Sequence, residues 1–555
     1  MVRAVFFALL TAHAWAGAPL FLHGAVASGH PAASQVGADV LAQGGNAVDA
    51  AVAAILAMGV ARPDSSGLGG GGFMLYRRAS DGRVFTLDFR EVAPAGARHD
   101  MYVKDGKVVP GLSEDGGLAV AVPGEIAGLE QMQRAHGHLP WRQVVGGPRD
   151  LAARGVEITP EMHAELAEDA EMLARWPALA HRYLPEGQVP AVGVRLRNPP
   201  LAATLDVLGR EGAGAFYHGR MARAMVRAVR EAGGILTEAD LARYRPAVRE
   251  ALHGRYRGYE IWSMPPPSSG GGVLLEILNI LDAVPGWPPR DAGLYHHQLV
   301  EAMKHGFADR AEYYGDPAFS RVPIARLTSA AHAALLARRI GERALPLERY
   351  GVHQLAADHG TSHFSVIDGA GNAVAATSTI NTGFGSKVYV PELGFILNDE
   401  MDDFTSAPGV PNAFGLVQGE ANAIAPGKKP LSSMTPTILV KDGRVAMVTG
   451  ASGGSRIISG TLQSILNVVH HGMDAAGAVA APRVHHQWKP DAVRAEPALG
   501  AAVLADLERR GHVVTRGGAG SSVEALVVTP GGISGGDDPR KGGAPAGPVV
   551  VKDTR

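Results

Sequence analysis

Hydrophobic positions recur along this chain in two periods, and each period predicts its own elements. From residue 25 a short apolar strand leads into a helix over 35–43, with Ser34 as N-cap and Gly44-Gly45 as stop. Asn46 caps a second helix over 47–58 that is Ala-rich and apolar nearly all round, which predicts burial. The stretch 120–245 is mainly helical, with long polar faces at 160–176 and 220–233. Further helices are expected at 273–281, at 295–313 and, with a basic surface (Arg338, Arg339, Arg343), within 321–349. Alternating or short apolar runs predict strands at 73–77, 84–89 and 255–263. Beyond residue 361 strands dominate, at 363–368, 373–379, 394–398, 436–441, 445–450 and 523–528, with one helix at 456–471. A Pro/Gly-rich excursion covers 405–430, and 537–543 reads as a surface segment. The pattern thus divides the chain at 360/361 into a helix-rich and a sheet-rich part.

Composition narrows the class. A chain of 555 residues supports two to four domains, or one large one, and 46% hydrophobic with 19% charged residues is ordinary for a globular protein. A formal net charge of -2 and scattered Arg give no footprint for nucleic acid. The absence of Cys removes disulfides, thiolate metal sites and a Cys nucleophile. Residues 1–18 read as an export signal: Arg3 is basic, 4–12 are apolar and Ala14-Trp15-Ala16 forms a cleavage site. That apolar run is too short to span a bilayer, and no later stretch is long enough, so a mature chain outside the cytoplasm without a membrane span is expected.

Three constellations compete for chemistry. In the first, a polar segment over 350–360 runs directly into Thr361-Ser362-His363-Phe364-Ser365, the hydroxylic start of a strand. If the bond before Thr361 is cut, the new α-amine (unperturbed pKa about 7.7–8.0) can take the proton of the Thr361 hydroxyl. An uncut amide nitrogen cannot. A plain loop-to-strand junction would look the same. Thr379, in a strand paired with that of Thr361, could orient the nucleophile, and Asn381 follows closely. The second is Gly450-Ala451-Ser452-Gly453-Gly454, a G-x-S-x-G motif between a strand and a helix, with Asp474 and His485 or His486 downstream in serine-hydrolase order. Its glycines could equally serve as a backbone oxyanion hole. The third is recognition of a charged ligand. Arg90 at a strand end could fork onto a carboxylate, Asp399-Glu400-Met401-Asp402-Asp403 suits an ammonium group, and Ser432-Ser433 offers two hydroxyls. The glycines Gly67-x-Gly69-x-x-Gly72 match a dinucleotide fingerprint only in letters, because they feed a strand, and read instead as close backbone packing. Adjacent His pairs point to different helical faces and no H-E-x-x-H occurs, so neither a metal nor a cofactor is expected.

Taken together, Gly44–Ala51, Gly69–Met74, Asp88–Glu91, Met264–Gly271, Thr361–Ser365, Leu397–Phe404, Pro430–Met434 and Gly453–Arg456 resemble the γ-glutamyltranspeptidase (glutathione hydrolase) family over nearly the whole chain. The resemblance implies an α/β fold of the N-terminal-nucleophile hydrolase type, a four-layer αββα sandwich built jointly by two subunits of one precursor. It implies self-cleavage between Gly360 and Thr361, giving a large subunit over 19–360 and a catalytic small subunit over 361–555. By matching position Thr361 is the nucleophile and Thr379 its hydrogen-bond partner. Arg90, Ser432 and Ser433 hold the α-carboxylate of the donor, and Asn381, Glu400 and Asp403 its ammonium. The Gly453 and Gly454 amides form the oxyanion hole. The implied partners are glutathione or other γ-glutamyl donors, with water, amino acids or peptides as acceptors. Phe414 stands where relatives with a lid often carry Tyr, which leaves gating open. A related class that deacylates glutaryl-cephalosporins shares the fold, the Ser452 hydrolase remains the weaker alternative, and a non-catalytic glutamyl-peptide binder is a third.

Overall fold

The computed structural model describes residues 18–350 and 361–549, apart from 408, 409, 411, 414, 417 and 519. Two antiparallel sheets are stacked. The six-stranded sheet runs in spatial order Gly24–Ser28, Ser362–Asp368, Ala373–Thr379, Gly71–Arg77, Val84–Phe89, Ala247–Arg249. The seven-stranded sheet runs Leu20–Phe21, Gly532–Gly536, Ser522–Thr529, Arg444–Ser452, Thr437–Lys441, Tyr259–Ser263, Leu252–Tyr256.

Strand alternation explains the layers. Along Ser362–Asp368, Phe364 and Val366 join the apolar cluster under helix Ala47–Ala61. His363 and Ser365 point the other way, between the sheets, where Ser365 Oγ donates to the Glu524 carbonyl of the opposite sheet at 3.1 Å. Gly450 lies against the His363 ring, and a Cβ there would meet it at 2.3 Å. Helices Gly270–Ala283 and Arg456–Val469 belong to the cluster that covers the outer face of the second sheet. The result is a four-layer αββα sandwich, the expected architecture.

Several boundaries differ from the sequence reading. The first helix is Pro31–Ala42 with His30 as cap, because Pro31 at N1 presets the helical φ and Ser34 turns inward to Ser28. The second runs to Ala61, and its Asn46/Asp49 capping box is present. The expected single strand over 255–263 is a hairpin, turned at Arg257 and Gly258, both at positive φ. The helix after the triple proline starts at the glycines themselves, at Gly270. Within 321–349 only Ile324–Leu327, Ala330–Ala337 and a short 3-10 turn at Leu347–Arg349 are helical. The division at 360/361 does not separate helix from sheet: both sheets take strands from either side of it. Of the segment 537–543, expected at the surface, Pro539 and Gly542 are exposed, but Asp538 is fully buried and pairs with Arg483. Among the described residues no helix is long and apolar enough to cross a membrane. Residues 1–17 of the expected export signal (1–18), the residues 351–360 before Thr361 and Phe414 lie outside the described residues.

Candidate active site

The site is assembled around the start of strand Ser362–Asp368. Asp368 ends that strand and shapes the turn to the next, accepting from the Ala370 and Asn372 amides at 3.0 Å each. This fixes an antiparallel register in which Ser362 faces Ser378, and one step further brings the Thr361 and Thr379 hydroxyls to 3.1 Å. The Gly-rich stretch supports this corner by close approach. A Cβ at Gly70 would lie 1.9 Å from the Thr379 carbonyl, and one at Gly72 would lie 2.1 Å from that of Thr377. These glycines are packing positions, as their context suggests.

Hydrogen-bond direction follows from the partners. The Asn381 amide donates to Thr379 Oγ1 at 2.8 Å, so the Thr379 hydroxyl is free to give its own proton to Thr361 Oγ1. The Thr361 proton then points elsewhere, as a nucleophile losing it to a base requires. Asn381 holds φ +79° and donates its side-chain amide to the Asp399 carbonyl at 3.1 Å.

Gly453 and Gly454 sit between strand Arg444–Ser452 and helix Arg456–Val469, at φ +117° and +50°. Only glycine takes both conformations without strain, and the turn presents backbone N–H groups at a helix N-terminus. Gly453 and Gly454 both border cavities that Thr361 also lines. Among the described residues Ser452 meets no histidine: its Oγ accepts from Lys541 Nζ at 3.2 Å. His485 bonds Ser459 and Gln487, His486 pairs with Asp491, and Asp474 caps helix Ala475–Ala480. The serine-hydrolase triad is therefore not assembled.

The charged groups converge on one small cavity of about 20 Å³, lined among others by Arg90, Thr361, Thr379, Asn381, Glu400, Asp403, Ser432, Ser433 and Gly454. Arg90 is fully buried and pairs with Glu400 and with Asp403, while Glu91 lies 3.7 Å away. Its Nε donates to the Pro430 carbonyl at 3.2 Å. The cationic and acidic halves of the expected zwitterion site thus engage each other across the cavity. Burial raises the Glu400 and Asp403 carboxyls against the pull of Arg90, and pushes Glu91 up to about 8. Three carboxyls around one guanidinium leave room for a further cation. The other two acids of the cluster are committed elsewhere, Asp399 to Thr382 and Asp402 to Ser113 and the Ala413 amide.

A second cavity of about 830 Å³ opens on the other side of Thr361, bordered by Ser452, Gly453, Arg62, Asp64 and Lys541. Lys541 Nζ donates to the Thr361 carbonyl at 2.6 Å. Sequence reading missed this lysine, since a Lys between Arg and two glycines carries no sign of a place at the site. It also missed Arg310, buried in helix Gly293–Tyr313 and donating to Ser269 Oγ at 2.8 Å and Ser433 Oγ at 3.1 Å. Two clusters of metal-ligand type, His297–Glu301–His512 and Glu276–Asp309–His332, lie in the helical layer, and neither contributes a residue to these cavities.

Residues 33–548 match the family model described as gamma-glutamyltranspeptidase. The chain belongs to the γ-glutamyltranspeptidase family. Among curated relatives it is 41% identical over 527 residues to the glutathione hydrolase proenzyme of Escherichia coli (strain K12), covering 93% of this chain and 90% of that one. It is 42% identical over 502 residues to the glutathione hydrolase proenzyme of Pseudomonas sp. (strain A14), covering 88% and 86%. Among solved structures it resembles a cephalosporin acylase from Bacillus halodurans, with TM-score 0.85, 27% identity and coverage of 98% and 99%. It also resembles the γ-glutamyltranspeptidase of Helicobacter pylori, with TM-score 0.54, 37% identity and coverage of 56% of this chain and 90% of that one. Within this family the fold is that of N-terminal-nucleophile hydrolases, in agreement with the sandwich above.

Proposed function

We propose that this family member is a γ-glutamyltransferase and glutathione hydrolase that matures by cutting itself between Gly360 and Thr361. The observation that carries the reading is the Thr361–Thr379 hydroxyl contact at 3.1 Å beside a buried Arg90–Glu400–Asp403 group. A nucleophile with its own α-amine as base stands next to a pocket of both charges, which matches the zwitterionic end of a γ-glutamyl group.

In the working cycle the Thr361 hydroxyl attacks the γ-carbonyl while the α-amine takes its proton. The Gly453 and Gly454 amides stabilise the oxyanion, and Thr379 orients the attacking oxygen. The leaving amine receives the proton, and the threonyl ester passes its acyl group to water or to an amino-acid or peptide amine. Arg90, Ser432 and Ser433 hold the α-carboxylate; Asn381, Glu400 and Asp403 hold the ammonium. A cavity of about 20 Å³ is the size of one water, so a donor must prise Arg90 from its two acids to enter. The donor supplies a carboxylate to the former and an ammonium to the latter, so each buried charge keeps a partner. The larger cavity, with Lys541 on its wall, suits the leaving group and the acceptor.

The large (19–360) and small (361–555) chains stay together as a heterodimer, and residues 1–18 direct export to the periplasm or medium. The whole-length likeness to a cephalosporin acylase keeps glutaryl amides as a second donor class. Such donors lack the ammonium, and the acids Glu400 and Asp403 speak for glutamyl.

The test is a denaturing gel with a chromogenic γ-glutamyl anilide. Wild type should give two bands and turnover, and Thr361→Ala one band and none. A single-chain wild type that still turns over defeats the reading. Preference for a glutaryl over a γ-glutamyl anilide selects the second donor class.

A further inference from the structure

Arg310 is an anomaly. It is fully buried, yet among the described residues it forms no ion pair, and its Nη1 has no hydrogen-bond partner. The Asp403 charge acts on it without a direct contact, and a buried guanidinium with no carboxylate in contact is costly, so such groups survive where a ligand or a structure-wide role compensates. Its two bonds are to hydroxyls: Nε to Ser269 Oγ at 2.8 Å and Nη2 to Ser433 Oγ at 3.1 Å.

The surroundings say what those bonds do. The triple-proline and serine segment Met264–Gly271, which the reaction does not use directly, is laced to the Ser432–Met434 loop. Ser269 N–H donates to the Ser432 carbonyl at 2.8 Å and Ser432 N–H to the Pro267 carbonyl at 3.0 Å. Ser268 Oγ donates to the Met434 carbonyl at 2.5 Å, and Ser269 Oγ to the Ser432 carbonyl at 2.7 Å. Arg90 holds the same loop from its other end, through the Pro430 and Leu431 carbonyls.

A guanidinium has no lone pair to offer, so Ser433 Oγ can only accept from Arg310. Its own proton therefore remains to be donated, and no acceptor for it exists among the described residues. Ser433 lines the small cavity.

We propose that Arg310, fixed by Ser269, is the positioning residue for donor carboxylate recognition: it polarises the Ser433 hydroxyl and aims its proton into the cavity. The inference rests on the γ-glutamyl reading and adds to it a residue behind the pocket wall. Arg310 supplies a second positive charge on the carboxylate side while touching no substrate atom. Burial also depresses its guanidinium to about 10, consistent with a charge that gains from an incoming anion.

The experiment compares two anilides, γ-glutamyl-p-nitroanilide and 4-aminobutanoyl-p-nitroanilide, which keeps the amine but lacks the α-carboxylate. In Arg310→Gln, KM for the first should rise about tenfold or more with kcat changed far less. KM for the second should stay within about twofold, so the discrimination collapses. Ser433→Ala should show the same split, and adding R310Q to it should cost little more, because both act through one hydroxyl. Equal losses on both anilides, or independent effects in the double variant, overturn the proposal. Should R310Q remain a single chain, Ser269→Ala takes its place, with about a threefold rise in the same KM expected and an unchanged KM refuting. A wild type that turns over neither anilide defeats the functional reading; an active wild type whose variants keep their selectivity defeats this inference alone.

Discussion

Replacing Thr379 by Val keeps the shape of the side chain and removes one oxygen, so the consequences can be worked from two bonds. The first is the contact to Thr361 Oγ1 at 3.1 Å, the second the acceptance of the Asn381 N–H at 2.8 Å. Both ends of each are buried. Loss of the first frees the nucleophile to rotate, and a hydrogen bond worth about 1–3 kcal/mol in the transition state lowers kcat by about 5- to 150-fold. Loss of the second strands a buried N–H on a residue already at φ +79°, at about 1–3 kcal/mol of stability. Thr379→Ser keeps the one oxygen that makes both bonds and should retain most of the rate and the stability. Initial rates on a γ-glutamyl anilide, with matured protein quantified by gel, read the first effect. Urea unfolding reads the second. Wild-type kcat in T379V with a matured, stable protein would refute the role given to this hydroxyl.

Gly453→Ala should lose activity by at least about 10²-fold, since a Cβ there meets the Gly520 carbonyl at 2.3 Å at a φ of +117° and must move the amide proposed as an oxyanion donor; an anilide assay decides it. Ser452→Ala should keep the site active, because no histidine among the described residues reaches that hydroxyl, and an inactive, fully matured S452A would revive the serine mechanism. Glu125 is buried, accepts from Ser378 Oγ at 2.9 Å, and burial pushes its carboxyl up to about 8 from an ordinary 4.5. A raised carboxyl makes the folded protein bind more protons than the unfolded chain between those values, so wild type loses stability as pH rises from about 4.5 to 8. Glu125→Gln should flatten that part of the curve in urea melts at several pH values, and an unchanged slope would assign it to another group.

The legibility of this chain divides along physical lines. Strand and helix identities with strong local signals came through: the Asn46 cap, the Val84–Phe89 strand and the pairing that brings Thr379 to Thr361 all follow from pattern and turn chemistry. The hairpin at Leu252–Ser263 was hidden because its turn uses Arg257 at positive φ, which a residue-type rule does not anticipate. The burial of Asp538 and the place of Lys541 beside Thr361 were illegible for a different reason. Their partners Arg483 and Thr361 are distant in sequence, and only tertiary pairing brings these charges of a Gly-flanked segment to them. Arg310 falls in the helix expected over 295–313, and that helix is present; what Arg310 does depends on two serines from other segments. The pairing of Arg90 with Glu400 and Asp403 could be foreseen as two halves of one pocket, but not as a closed contact.

Because both large sheets interleave strands from before and after residue 360, a nick there would sever a covalent link while leaving the inter-strand hydrogen bonds intact. Strand Ser362–Asp368, for instance, is bonded to Gly24–Ser28, and Ala373–Thr379 to Gly71–Arg77. Neither fragment would own either of the two large sheets complete. The two should therefore melt in a single transition, resist dissociation on dilution, and fail to acquire native structure when produced apart.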